Sequence, residues 1–178
     1  IRATEQLGIR DKLVSIQNSY SLLDRRFDGE LAEACDFHGL GLLPWSVLAG
    51  GLLSGKYRKN TNTASPSSRF IKYPEYMTRW SPSSASAATL DAVDSYAKIA
   101  ADNNMSPTEL AIAFARTRRF ISDSGSVIVG ATTLEQLQEN LSPFMGEDSA
   151  ASSILDDSVL KAIDRVHIQS PNPSCHYS

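Results

Sequence analysis

The chain has 178 residues, of which 42% are hydrophobic and 21% are charged, and its formal net charge is −3. This length and composition fit one globular domain with a sizeable core. The net charge argues against nucleic-acid binding, which needs a basic face, and no apolar run reaches the roughly 18 residues that span a membrane. Cys35 and Cys175 form no metal or disulfide pattern. Residues 1–10 lack the apolar core of a signal peptide, so we expect a cytoplasmic protein.

The first part of the chain is typical of a βαβ unit. Short apolar runs at Leu13–Asn18 and Leu40–Ser46 predict two buried parallel strands. Between them, Asp28–His38 predicts an amphipathic helix that Gly39 ends, as glycine commonly does. We expect the inward side of this helix to carry Leu31, Ala34 and Cys35. Strand, helix and strand at this spacing form a right-handed crossover in nearly all proteins.

The second part of the chain predicts a long loop followed by helices and one more strand. The loop is Arg58–Ser86, which is rich in Ser, Thr, Asn and Pro. A Ser-Pro-Thr-Glu sequence at Ser106 predicts a capped helix start, and this helix runs to about Arg118. The other predicted elements are a helix at Ala87–Asp102, a third strand at Ser126–Gly130, helices at Thr133–Leu141 and Leu155–His167, and a flexible tail at 169–178 after a folded unit at 1–168.

Polar residues follow all three predicted strands at their carboxyl ends. One polar residue at a strand end often only satisfies the loop backbone, but three ends together favour a ligand site. These residues are Gln17 and Asn18, Trp45 and Ser46, and Gly130 and Thr132. Three strands are also few for a chain of this length, and a parallel sheet needs cover on both faces. The sequence therefore predicts part of a larger α/β protein.

The glycine-rich stretch after the second strand favours an anion-binding backbone. Glycines let the backbone approach a phosphate closely, and a lysine adds positive charge. The segment Gly50–Lys56 also matches the first seven positions of a nucleotide triphosphatase P-loop. However, Tyr57 stands where that loop needs a Ser or Thr for magnesium, and no later strand ends in a suitable Asp. A triphosphatase is therefore disfavoured.

Three segments in order resemble motifs of the aldo/keto reductase superfamily. Trp45–Tyr57 is similar to the family's WSPLxxGxLSGKY segment, and Val127–Asn140 is similar to its C-terminal cofactor signature. Ser15–Leu23 and the flanking sequence resemble the Tas-like branch, with the potassium-channel β subunits as more distant relatives. The resemblance covers roughly residues 5–168. It implies the C-terminal part of a (β/α)8 TIM barrel, strands six to eight with their helices, in a protein that reduces aldehydes or ketones with NADP(H).

The resemblance also assigns cofactor contacts. Gln17 would hydrogen-bond the nicotinamide carboxamide, and Trp45 would stack on the nicotinamide ring. Lys56 and Arg69 would meet the phosphates, including the adenosine 2′-phosphate. The pyrophosphate would lie along the backbone of Ser46, Leu48 and Gly50. The adenosine end would be held by Gly130, Thr132, Gln136, Glu139 and Asn140.

Two departures from the family pattern bear on function. Many members carry Lys at the position of Gly130 and Arg at that of Gln136, so Lys56 and Arg69 would bind the 2′-phosphate alone. The family's catalytic Asp, Tyr, Lys and His come from barrel strands before the one at Leu13. The resemblance therefore implies that this chain lacks the catalytic tetrad and is inactive alone. The alternative is a non-catalytic half-barrel that binds a cofactor or a partner chain.

An incomplete barrel would expose surfaces that the complete barrel buries. We expect inward residues, including Leu42 and Ile128, to lose the opposing half of the barrel core. The outer edges of the first and third strands would carry unpaired amides and carbonyls, which favour self-association. The expected partners are thus a small carbonyl substrate in the complete protein and a second copy of the chain, with no nucleic acid and no membrane.

Overall fold

A computed structural model describes residues 1–58, 64–76, 78–145 and 155–173, with only the backbone of Ser122. The helices are α1 (Arg2–Gln6), α2 (Glu30–His38), α3 (Arg69–Lys72), α4 (Ala87–Asp102), α5 (Pro107–Arg116), α6 (Arg119–Ser122), α7 (Leu134–Leu141) and α8 (Asp157–Gln169). The strands are β1 (Ser15–Ser19) and β2 (Gly41–Trp45). Short 3-10 turns occupy Arg10–Lys12, Arg26–Asp28, Ala49–Ser54, Thr78–Trp80 and Ser142–Phe144. This order has the predicted α/β class.

The two strands pair in parallel, as the sequence predicts, and present two different faces. Gln17 lies opposite Leu43, and Ser19 lies opposite Trp45. Since successive side chains of a strand alternate, Leu42 lies on the other face, where it is 0% exposed in the hydrophobic core. We call this the core face. The open face carries Gln17, which is exposed, and Leu43 and Trp45, which are half-buried.

The predicted third strand, Ser126–Gly130, does not form a regular strand among the described residues. The segment nevertheless follows β2, because Ser126 N donates to Leu42 O at 3.2 Å and Ile128 N donates to Pro44 O at 3.0 Å. The equal two-residue spacing is that of parallel pairing. Within the described ranges this segment has no strand on its far side. Few ladder bonds and a bare outer edge explain why regular geometry is lost.

The expected exposure of inward residues is correct for Ile128 and wrong for Leu42. Ile128 is 42% exposed, whereas Leu42 is fully buried. The pairing explains the difference, because Ser126 N bonds to Leu42 O and so sets Ile128 beside Trp45 on the open face. Leu42 points the other way, into the core that this chain builds for itself.

Side-chain caps define the helix starts. At α5 the predicted capping box is present, since Ser106 Oγ accepts from Glu109 N at 3.1 Å and Glu109 Oε2 accepts from Ser106 N at 2.7 Å. Asp156 caps α8 by accepting from Val159 N at 2.9 Å. These contacts satisfy amide groups that the helix itself leaves unpaired. In the described part of the chain, no helix combines the length and the apolar character that crossing a membrane requires.

Helix α2 packs through a different stripe from the predicted one. Leu31 is 43% exposed and Ala34 is exposed, whereas Cys35 is 3% exposed. Ala32 also packs against the core, so the inward stripe is offset by one residue from Leu31. The predicted end is correct, because Gly39 has a φ of 61° in the left-handed region that terminates many helices.

The core surrounds α5, whose residues 110–115 are all buried. The Tyr20 ring stacks on Phe114 with centroids 6.1 Å apart. The predicted tail is held to this core at its start: Asn172 Oδ1 accepts from Arg25 N at 2.6 Å, and Pro173 O accepts from Thr89 Oγ1 at 2.9 Å. Residues 174–178, including Cys175, lie outside the described residues.

The predicted loop Arg58–Ser86 has structure of its own where it is described. It contains α3 and the turn Thr78–Trp80. Phe70 is 6% exposed and Trp80 is 1% exposed, so both aromatic rings belong to the core. Burying two large rings fixes this segment against the strand ends, because each ring removes a large apolar area from water.

Candidate functional site

The carboxyl ends of β1 and β2 bring two of the predicted site residues to one edge. Gln17 and Trp45 both lie on the open face, and Ser19 is the direct neighbour of Trp45 across the pair. Gly130 follows Ile128 along β2, and a Cβ atom at Gly130 would meet nothing within 4 Å. The structure therefore places an amide, an indole and an open backbone along the same sheet edge.

The chain turns sharply after Trp45 through a run of left-handed residues. Positive φ angles occur at Ser46 (59°), Ala49 (48°), Gly50 (66°), Gly51 (105°) and Gly55 (77°). Glycine adopts such angles readily, but residues with side chains rarely do, so the backbone is strained at Ser46 and Ala49. Leu48, in the same turn, accepts backbone hydrogen bonds at its carbonyl from Gly51 (2.8 Å) and Leu53 (3.2 Å).

A lysine lies directly against this turn. A Cβ atom at Gly51 would sit 3.1 Å from Lys56 Cε and 3.2 Å from Nζ, which leaves little room for any side chain there. The Lys56 ammonium also lies 5.2 Å from the Tyr57 ring centroid. A glycine-containing turn with an ammonium group beside it is an arrangement that can hold phosphate oxygens in proteins. The structure thus places a positive charge beside the glycine-rich turn.

Arg69 is positioned near the turn because the next residue, Phe70, packs against it. Phe70 packs on the turn, since a Cβ atom at Gly50 would meet Phe70 Cζ at 2.9 Å. Phe70 also contacts Tyr57, with centroids 5.6 Å apart, and the Phe70 N–H donates to the Tyr57 hydroxyl at 3.3 Å. Arg69 stays exposed, with its guanidinium 5.6 Å from the Tyr76 ring centroid. Packing of Phe70 on the turn therefore brings the exposed guanidinium of Arg69 to this part of the molecule.

The pKa of Lys56 is affected by burial and by two charged residues from other segments. It is lowered from the ordinary lysine value, first by burial and then by the positive charge of Arg69, while Glu139 acts in the opposite direction. These residues come from the turn, from α3 and from α7. Two cations that repel each other in a partly buried place favour an anion that would neutralise both. The structure thus unites three of the predicted phosphate and adenosine residues.

The remaining predicted residues form a connected group at the start and end of α7. The Gln136 side-chain oxygen accepts from both the backbone N and the Oγ1 of Thr132, at 3.0 Å each. Asn140 is 2% exposed, and its Nδ2 donates to the Gly130 carbonyl at 3.2 Å. Asn140 therefore fixes the end of the extended segment, and Gln136 closes the turn before the helix.

Sequence reasoning missed Asp24, Arg79 and Trp80, which connect the strand ends. Asp24 is buried at 1% exposure, accepts from Ser19 Oγ at 2.8 Å and pairs with both Arg26 and Arg79. Trp80 packs on Trp45 with centroids 5.7 Å apart and rings at 76°. A tryptophan within an otherwise polar loop was the available signal, since such a ring seldom lies in a loop without a packing role.

The two buried tyrosines, Tyr20 and Tyr96, do not offer an acidified hydroxyl. Burial raises the pKa of both Tyr20 and Tyr96. Their hydroxyls donate to Asp28 at 2.7 Å and to the Leu22 carbonyl at 3.1 Å. A general acid near neutral pH needs a pKa shifted in the opposite direction. Tyr177 lies outside the described residues.

Comparison with known proteins places the chain among oxidoreductase relatives. It is 36% identical over 160 residues to Protein tas from Escherichia coli (strain K12), which covers 88% of this chain and 40% of that protein. It is 34% identical over 131 residues to an aldo-keto reductase from Babesia bovis, 71% of this chain and 43% of that protein. A probable voltage-gated potassium channel subunit beta from Oryza sativa is 34% identical over 126 residues, 70% of this chain and 36% of that protein.

These relatives include both branches that the sequence motifs resemble. The chain spans about two fifths of the length of the curated relatives it matches. The profile of the Aldo/keto reductase family matches residues 3–166, which is nearly all of it. The chain therefore belongs to the aldo/keto reductase family.

Proposed function

We propose that this chain is the NADP(H)-binding, C-terminal portion of an oxidoreductase that reduces aldehydes or ketones. Family membership supports the oxidoreductase class. The α/β order with a parallel β1–β2 pair fits part of a (β/α)8 barrel, in which β1, β2 and the segment 126–130 correspond to strands six to eight.

One observation carries the proposal. Lys56 lies against the left-handed turn at Gly51 and its pKa is influenced by the positive charge of Arg69, while Gln17 and Trp45 lie on the open face of the adjoining strands. A dinucleotide needs both features, a cationic cradle for phosphates and a flat surface with an amide partner for the nicotinamide. The site provides both features along a single sheet edge.

The residues of this chain would bind and orient rather than transfer protons. When bound, NADPH supplies the hydride for the carbonyl carbon. Trp45 offers its ring surface to one face of the nicotinamide, and Gln17 bonds the carboxamide, which fixes the ring's rotation. Lys56 and Arg69 neutralise phosphate charge, and Asn140 keeps the Gly130 carbonyl in place at the adenosine end.

The second candidate is a non-catalytic cofactor-binding half-barrel. It is favoured by the composition of the open face, where Gln17, Leu43, Trp45 and Ile128 offer no group that donates a proton at neutral pH. The two candidates share the cofactor site and differ in whether further strands add a general acid.

Titration with NADPH tests the shared part. We expect saturable binding to the 178-residue chain, seen as energy transfer from tryptophan to the reduced nicotinamide. A matched titration with magnesium and ATP tests the P-loop interpretation and should give no binding. Absence of NADPH binding, or binding of magnesium-ATP alone, would contradict the proposal.

A further inference from the structure

Two neighbouring residues of the loop before α4 contact both strand ends at once. Arg79 forms an ion pair with the buried Asp24, and its guanidinium lies 3.4 Å from Ser19 Oγ at the end of β1. Trp80 packs edge to face on Trp45 at the end of β2. Ser19 and Trp45 are themselves partners across the strand pair. We call Arg79 and Trp80 the strand-end clamp.

Trp80 and the carboxylate that pairs with Arg79 are both buried, while Arg79 is partly exposed. Trp80 and Asp24 are each 1% exposed. The Arg79 guanidinium also lies 4.6 Å from the Trp80 ring centroid, so the ion pair and the ring contact brace one another. Trp80 also contacts the left-handed turn that follows Trp45, since a Cβ atom at Gly50 would meet Trp80 Cβ at 3.3 Å.

Trp80 is held by packing of its ring and not by a hydrogen bond of its indole. Its indole Nε1 is buried and has no hydrogen-bond acceptor among the residues that the structure describes. A buried donor without a partner is unfavourable, so hydrogen bonding does not explain a tryptophan at this position. The contacts of Trp80 are instead its packing on Trp45, on the Arg79 guanidinium and on the turn at Gly50.

Trp45 meets Trp80 at a half-exposed edge of the sheet. It is half-buried at the edge of the open face, where its partner across the strand pair is the small side chain of Ser19. A large ring at such an edge has several accessible rotamers unless a neighbour excludes them. Small errors in orienting a reacting ring cost far more in function than in stability.

We propose that Arg79 and Trp80 are positioning residues that hold the Trp45 ring in the orientation that receives the nicotinamide. This inference rests on the proposed function. It assigns a role in cofactor geometry to a loop whose sequence predicts none. Neither residue need touch the cofactor, since both act through Trp45.

The test compares NADPH with 2′,5′-ADP, which carries the 2′-phosphate but no nicotinamide. In the 178-residue chain, Trp80→Leu should weaken NADPH roughly five- to tenfold, because an aromatic pair is lost. Affinity for 2′,5′-ADP should stay within twofold, and Trp80→Phe, which keeps a ring, should restore most of the NADPH affinity. Arg79→Met provides a second variant and should show the same selective loss, to a smaller extent.

Circular dichroism tests the ring contact independently of any ligand. Trp45 and Trp80 are the two tryptophans of the chain, so an exciton couplet should be present in the wild type and absent from Trp80→Phe. Thermal unfolding shows which variants fold. Equal loss of both ligands, or unchanged NADPH affinity, in folded Trp80→Leu or Arg79→Met would overturn the inference. A wild type that binds neither ligand would overturn the proposed function together with it.

Discussion

The two faces of the β1–β2 pair differ in a way that separates folding from function. On the core face, Leu42 is fully buried by helices that this chain supplies. On the open face, Gln17 is exposed, Ile128 is 42% exposed and Trp45 is half-buried. The first face is complete within the chain, and the second carries the residues proposed to bind the cofactor. Alternation along each strand is enough to divide these roles between adjacent residues.

The largest expected effect is the absence of catalysis on the open face. The chain with NADPH should not reduce 4-nitrobenzaldehyde above the uncatalysed rate, since the described part of this face offers no general acid, whose help is worth about 10²–10⁴-fold. Absorbance of the reduced nicotinamide gives the measurement. Turnover that Trp45→Ala abolishes would show that the open face is catalytically complete after all.

A pair of leucines on opposite faces tests the structural half of the comparison. Leu42→Ala should lower the free energy of unfolding by about 2–5 kcal/mol, because a fully buried side chain leaves a cavity. Leu43→Ala, one residue away on the open face, should cost about 1 kcal/mol or less. Denaturant unfolding of both variants measures the difference. Equal losses would mean that the two faces are equally packed in solution.

Arg69 tests the ligand half of the comparison. Arg69→Ala should weaken NADPH by about 1.5–3 kcal/mol, since a charge-assisted bond to the 2′-phosphate is lost, and should affect NADH much less. Lys72→Ala is the matched control, because it removes the same charge from the same short helix. Calorimetric titration of both cofactors decides the matter. Equal loss of NADPH and NADH in Arg69→Ala would place this residue on the pyrophosphate instead.

The smallest expected effect is the contribution of Lys56 to the pH dependence of stability. Its pKa is lowered in the folded chain, mainly by burial. Between the lowered pKa and the ordinary lysine value, Lys56 is therefore more protonated in the unfolded chain than in the folded one. Stability should therefore rise with pH between the lowered pKa and the ordinary lysine value. Because Lys56 is partly exposed, we expect less than about 1 kcal/mol. This rise should disappear in Lys56→Met, and a wild-type-like pH profile in that variant would contradict the assignment.

Lys56→Met should also weaken NADPH while leaving the chain at least as stable as the wild type. A charge that is partly desolvated and close to Arg69 is unfavourable for folding but suited to an anion. Loss of stability together with loss of binding would show that Lys56 has a structural role instead.

The sequence by itself determined the local elements. The capping box at Ser106 and the left-handed Gly39 depend on residues close together in the chain, and the apolar runs that form the first two strands are continuous segments. The family motifs likewise lie in continuous segments, and the cofactor roles predicted for Gln17, Trp45 and Lys56 follow from them. Local hydrogen bonding and periodicity are sufficient for such features.

Only the tertiary structure decided what those segments meet. The inward stripe of α2, the burial of Leu42 and the irregular segment 126–130 depend on which neighbours are present, and periodicity alone does not specify them. The contacts of Trp80 with Trp45 and of Arg79 with Asp24 are also tertiary, since they connect the strand ends to a loop whose sequence is mostly polar. Contacts between distant segments are set by packing of the whole core, and no local pattern in the chain encodes them.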